Sequence, residues 1–91
     1  MADVEVWGAR LDGGRLTELR VRFKGTGERT IDRATALTWL AGGHSLIAYG
    51  GVPHHPVRGR ALCRVETGDE AWIRSDTAPE AADAVEFPHG H

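Results

Sequence analysis

Alternation of apolar and polar residues runs through most of this chain and gives way to helical spacing once. The cleanest stretch is 16–24, where Leu19, Val21 and Phe23 fall on one side and Glu18, Arg20, Arg22 and Lys24 on the other. That period of two predicts a half-buried strand. Residues 3–11 read as its partner, with Val4 and Val6 on one face and Trp7, Ala9 and Leu11 on the other. Asp12-Gly13-Gly14-Arg15 between them is a turn signal, so the two runs should form an antiparallel hairpin. A polar loop at 24–28 follows, then the short extended run Arg29-Thr30-Ile31. Asp32 stands where an N-cap is expected before residues 33–41, in which Leu37, Leu40 and Ala41 share a helical face. Gly42-Gly43 supplies the stop.

Ser45 to Tyr49 is nearly all apolar and predicts a central strand. Gly50 to Arg58 reads as a loop, because Pro53 and Pro56 oppose a regular ladder. Residues 59–75 predict a last hairpin around Thr67-Gly68-Asp69. Treated as a three-residue loop, it sets Glu66 opposite Glu70, Val65 opposite Ala71, Arg64 opposite Trp72 and Cys63 opposite Ile73. Val65, Ala71, Cys63 and Ile73 then face the core, leaving Arg60, Arg64, Trp72 and Arg74 outside. In residues 75–91, Glu80 to Ala84 suggest one helical turn, Val85 and Phe87 are the apolar anchors, and 89–91 are expected to be disordered. The fold expected is α+β: a small bent antiparallel sheet or open barrel of about five strands with one short helix packed on it. It should form one compact domain over residues 1–88, its core centred on the third strand and the helix with Leu19, Val21, Phe23, Val65 and Ile73.

Charge narrows the function classes. Eleven basic and thirteen acidic residues in 91 leave a net charge of −2, so no global electrostatic pull toward nucleic acid or anionic membrane is expected. Cys63 is the single cysteine, which excludes an intrachain disulfide and a multi-thiolate zinc site. With no leader-like segment in the sequence and no apolar run near the roughly 20 residues of a membrane span, a cytoplasmic setting is expected.

Candidate chemistry is sparse. His54 and His55 sit together in a proline-flanked loop, but a transition-metal site needs three or four converging ligands, and no spaced carboxylate or second cysteine completes one. Cys63 falls in mid-strand on the face assigned to the core, where a thiol packs as a small hydrophobe. The glycine pairs precede no helix and match no phosphate loop. Asp69 and Glu70 belong to a hairpin turn. No catalytic set, cofactor or metal is therefore expected. The Arg60, Arg64, Trp72, Arg74 face is the best candidate, since tryptophan beside arginine makes a partner-binding anchor or a stacking platform for bases. Alternation leaves two other readings open: an internal cation–π pair of Arg64 over Trp72, or a face covered by the helix.

One resemblance bears on the whole length. The order of elements, the segment Trp72-Ile73-Arg74-Ser75-Asp76 after the last hairpin, and Asp83-Ala84-Val85 followed by Phe87-Pro88 resemble an uncharacterised bacterial group, domain-of-unknown-function family 3892. Ser75 stands where that family usually has threonine, and Ala84-Val85 where it has Asn-Leu. The resemblance implies a compact bacterial or phage-related domain and carries no activity. The function expected is a non-enzymatic binding module that meets a protein partner or a second copy through Arg60, Arg64, Trp72 and Arg74. The alternatives are nucleic-acid binding by the same face and metal binding at His54 and His55.

Overall fold

The computed structural model describes residues 3–23, 27–52, 54–78 and 80–88; the disorder expected for 89–91 and the first three residues of the loop expected at 24–28 lie outside the described residues. The elements are β1 (Asp3–Asp12), β2 (Arg15–Phe23), β3 (Glu28–Asp32), α1 (Arg33–Ala41), β4 (Ser45–Val52), β5 (His55–Ala61), β6 (Cys63–Thr67) and β7 (Glu70–Arg74). They make an α+β fold with an open five-stranded sheet ordered β3-β2-β1-β4-β5 and a separate β6-β7 pair. Within the large sheet β1 and β4 run parallel, Val4 beside Leu46 and Val6 beside Ala48. The connection through β3 and α1 is long enough to bring β4 back in the direction of β1, which a tight turn could not do.

Two register breaks in the β1–β2 hairpin shape its surface. Val6 faces Val21 and Gly8 faces Arg20, so Trp7 is an extra, bulged residue; a second break lies between Arg10 and Leu11. Because a bulge resets the alternation, Val4, Val6, Ala9 and Leu11 keep one face, and Trp7 is freed from the Ala9–Leu11 face on which simple alternation puts it. Asp32 caps α1 as expected, its carboxylate accepting the Thr35 N–H at 2.8 Å. A helix of nine residues needs tertiary packing to persist. It gets this by burying Ala36 and laying Leu37, Trp39 and Leu40 against a core of Val4, Val6, Leu16, Leu19, Val21, Ile31 and Leu46. Leu62 and Ile73 of the β6–β7 side join the same core. Helix and small sheet thus cover one face of the large sheet, called here the inner face.

Two segments correct the expectation. Gly50 to Arg58 is not a loop: β4 and β5 form a ladder with Gly51 opposite Pro56 and Val52 opposite His55. Pro56 is tolerated because β5 is an edge strand, where a missing N–H can face away from the ladder. The last hairpin is one residue out of the expected register, with Thr67 opposite Glu70, Val65 opposite Trp72, Arg64 opposite Ile73 and Cys63 opposite Arg74. Its loop is the pair Gly68-Asp69, with Gly68 at φ +67°. Glycine at positive φ in the first position of a two-residue turn matches the twist of paired strands better than a three-residue loop does here. Alternation could not choose the register, because β7 is buried on both sides: Ile73 on one, Trp72 and Arg74 on the other.

Candidate functional site

The four residues expected to share an outer face do not share one. Arg64 is exposed and pairs with Glu66. Arg60 is exposed on β5, beside Glu86, Phe87 and Pro88. Trp72 is only 8% exposed and Arg74 4%. The one-residue change of register and the covering of both sides of β7 account for this. Trp72 does make cation–π contacts, but with Arg15 and Arg33, whose guanidinium carbons lie 5.0 and 5.3 Å from its ring centre. Arg64 takes no part.

What holds this region together is a carboxylate in residues 80–88, Asp83. Its side chain has 0% exposure, and it accepts from the Leu16 N–H at 2.6 Å, the Ile73 N–H at 2.8 Å and Arg33 Nε at 2.8 Å. Arg33 Nη2 adds a longer bond to its second oxygen and donates to the Ala71 carbonyl. Burial alone would raise the Asp83 pKa; the bonds from Arg33, Ile73 and Leu16, and the charge of Arg33, outweigh it and hold the carboxyl below its ordinary value. The backbone around Asp83 follows β7: Asp83 N–H bonds to Gly14 O, Ala84 N–H to Ile73 O, and Ser75 N–H to Ala84 O. Ala84 is bridged in parallel to Arg74.

Arg74 is satisfied by the same stretch. It donates twice to Asp76, at 2.6 and 3.0 Å, and to the Ala82 carbonyl at 2.8 Å. The hydrogen bond with Asp76 raises the Arg74 pKa and lowers that of Asp76. Further on, Val85 and Phe87 pack against the core, and Pro88 lies so close to β4 and β5 that a Cβ at Gly50 would stand 1.8 Å from its carbonyl oxygen. Residues 80–88 are therefore a strap docked through a buried ion pair, beyond the two apolar anchors expected. The sequence carried two hints. Asp83 is a lone acid within Ala81-Ala82-Asp83-Ala84-Val85, and Arg33 sits in the first helical turn, where the macrodipole disfavours a cation.

The other candidates stay apart. His54 and His55 meet edge to face at 5.0 Å, and among the described residues no group of three or more His, Cys, Asp or Glu could hold a metal ion. Cys63 is half-buried, and its thiol donates to the Ala61 carbonyl at 3.9 Å.

The outer face of the large sheet is different in kind. Its register gathers Glu5, Gly8 and Arg10 of β1, Glu18, Arg20 and Arg22 of β2, and Glu28 and Thr30 of β3 on the side away from the helix. Ile47 and Tyr49 continue it on β4. The bulged Trp7 stacks on Tyr49, ring centres 5.7 Å apart at 29°. This pair is fixed from all sides: Trp7 Nε1 donates to Glu5, Arg20 donates to the Trp7 carbonyl, and Arg58 donates to the Tyr49 hydroxyl. Both rings remain half-exposed. Arg10 pairs with Glu18 and Arg20 with Glu28, whereas Arg22 and Arg58 make no ion pair among the described residues. A shallow cavity of about 230 Å³ opens beside the ridge, lined by Gly8, Arg10, Glu18, Arg20 and Thr30 among others. Between Glu5 and Ala61 on this face Ile47 is buried. Among the described residues no helix is long and apolar enough to cross a membrane.

Comparison of the chain with protein-family models, curated proteins and solved structures returned no match.

Proposed function

We propose that this chain is a non-enzymatic binding module that docks a protein partner on the outer face of its five-stranded sheet. The observation that carries the reading is the half-exposed Trp7–Tyr49 stack on the outer face, flanked by Arg22 and Arg58, which make no ion pair among the described residues. Tryptophan, tyrosine and arginine are the side chains from which binding hot spots are made, and rings already held in place cost little entropy on docking. Arg22 and Arg58 favour a partner that presents acidic side chains to either side of the ridge. Glu5, Glu18 and Glu28 on the same face, and the net charge of −2, weigh against a nucleic-acid backbone, which needs a basic surface.

The test is capture from an extract of the source cells by the immobilised wild-type chain, by Trp7→Ala/Tyr49→Ala, and by Arg60→Ala/Arg64→Ala. A defined set of proteins retained by the wild type should be lost with the first variant and kept with the second. Retention unchanged by Trp7→Ala/Tyr49→Ala would overturn the assignment. Titration with single-stranded DNA at low salt should stay flat; a steep, salt-dependent isotherm there transfers the face to nucleic acid.

A further inference from the structure

We propose that the crevice beside Trp7 is a carboxylate subsite, in which Arg20 and Arg10 take an acidic side chain of the docked partner. It rests on the reading of the outer face as a protein-binding surface and adds the chemistry the partner brings. The crevice is open because Gly8, the residue after the bulge, carries no side chain. Gly8 does not lie at positive φ, so its backbone would accept other residues, and what glycine provides there is space. The Arg20 guanidinium occupies part of that space. A Cβ at Gly8 would stand 3.4 Å from Arg20 Cζ and Nη2 and 3.5 Å from Nε, so the planar group lies flat over the strand. Its Nη2 donates to the Trp7 carbonyl at 3.3 Å. The guanidinium is thus seated beside the ring before a partner arrives, which lowers the entropy lost on docking.

Arg20 keeps most of its donors open. Arginine has five N–H donors, and among the described residues Arg20 gives one hydrogen bond. Its ion pair with Glu28 is 4.0 Å long, and that of Arg10 with Glu18 is 3.5 Å. Both exceed the length of a charge-assisted hydrogen bond. All four side chains are between 42% and 76% exposed, where such pairs hold weakly and an incoming carboxylate can compete. Gly8 lies across from Arg20 and Arg10 across from Glu18, so the two arginines stand at opposite corners of one patch. Thr30 closes it from β3. The cavity there, about 230 Å³, is smaller than the roughly 300–1,000 Å³ of pockets that enclose whole small molecules, and it suits a single side chain. Two guanidiniums face one lining carboxylate, Glu18. That balance fits a single negative charge, and the planar fork of arginine matches a carboxylate.

The test needs no identified partner. The isotope-labelled full chain is titrated at low ionic strength with the α-N-methylamide of N-acetylglutamate, whose one charge is the side-chain carboxylate, and with its neutral glutamine counterpart. NMR follows the Gly8 and Thr30 amides and the Arg20 Nε–H. The glutamate probe should shift all three and saturate with a midpoint on the order of mM, while the glutamine probe leaves them in place. Arg20→Gln and Thr30→Glu should each abolish the shift at Gly8. Thr30 is exposed on the edge strand β3, so Thr30→Glu adds a competing charge without removing the Arg20 seat. Arg60→Ala should change nothing. Equal responses to both probes, or a glutamate response that survives Arg20→Gln and Thr30→Glu, would overturn the proposal. So would inorganic phosphate shifting the same groups at lower concentration, which makes the crevice a phosphate site. A failed titration strikes the crevice and leaves the ridge standing, because partner retention is read separately with Trp7→Ala/Tyr49→Ala.

Discussion

The two tryptophan–arginine groupings of this chain use the same side chains to opposite ends. Around Trp72 the guanidiniums of Arg15 and Arg33 stack on a buried ring, and Arg33 is spent on the carboxylate of Asp83. Around Trp7 the ring is half-exposed, Arg20 secures the bulge carbonyl, and Arg22 and Arg58 stay without an ion pair among the described residues. The difference lies in where charge is satisfied. A guanidinium tied to a buried carboxylate becomes part of the interior, and whatever ring it covers is lost as a contact surface. One left in solvent beside a positioned ring keeps its charge available to a partner. Residue type alone does not separate these cases.

The comparison breaks first at Asp83 and Trp72. Asp83→Ala leaves Arg33 and two backbone N–H groups without their acceptor, and truncating one partner of a buried pair costs about 3–5 kcal/mol. Trp72→Ala removes a ring that is 8% exposed and should cost a similar amount, about 3–5 kcal/mol. Either loss is a large share of the roughly 5–14 kcal/mol available to a domain of this length. Urea denaturation checks both; a loss under about 1 kcal/mol for either would mean that the strap and hairpin are not part of the cooperative unit.

Acid provides a gentler version of the same break. The Asp83 pKa is lowered in the folded chain below its ordinary value of 3.8, so protons bind the unfolded state more readily. Its contribution is complete above the unfolded pKa and is lost as pH falls through the lowered folded value. Asp76, lowered by its bonds to Arg74, acts in the same direction. Stability followed from neutral pH downward should hold and then fall in acid. The fall should be shallower in Asp83→Asn than in the wild type. An equally steep acid limb in Asp83→Asn would assign the pH dependence to other carboxylates.

A smaller effect is expected at the far end of the strap. A Cβ at Gly50 collides with Pro88 oxygen at 1.8 Å, and overpacking of this kind costs about 1–3 kcal/mol. Gly50→Ala should raise hydrogen exchange at the Glu86 amide, which bonds to Ser75 Oγ, while the β1–β2 ladder stays protected. Uniform loss of protection would show that the strap cannot loosen alone.

These regions were unequally legible in the sequence. The strand and helix pattern from Asp3 to Tyr49 follows from periodicity, turn glycines and the Asp32 cap, and the structure agrees with it apart from the parallel β1–β4 pair. That pairing depends on how the chain returns after α1, which no local pattern encodes. The last hairpin was misread because Trp72 and Ile73 are adjacent and both buried, so alternation carried no register information there. The outer-face ridge was not legible in the sequence for a related reason. Simple alternation puts Trp7 on one face with Ala9 and Leu11; the bulge between Val6 and Gly8 moves Ala9 and Leu11 to the face of Val4 and Val6 and leaves Trp7 without them, and a bulge is a property of two paired strands.

The smallest stability change should accompany the largest functional one. Trp7→Ala removes a half-exposed ring whose stack on Tyr49 is worth about 0.5–1.5 kcal/mol, with the Nε1 bond to Glu5 lost in solvent. Its unfolding midpoint should move little, far less than that of Trp72→Ala, while retention of a protein partner is lost. Trp7→Phe keeps a ring on the bulge and should recover part of that retention, which a mere surface aromatic would have no reason to do. If Trp7→Ala instead destabilises as much as Trp72→Ala, the outer ridge belongs to the folding core after all, and the contrast between the two tryptophans collapses.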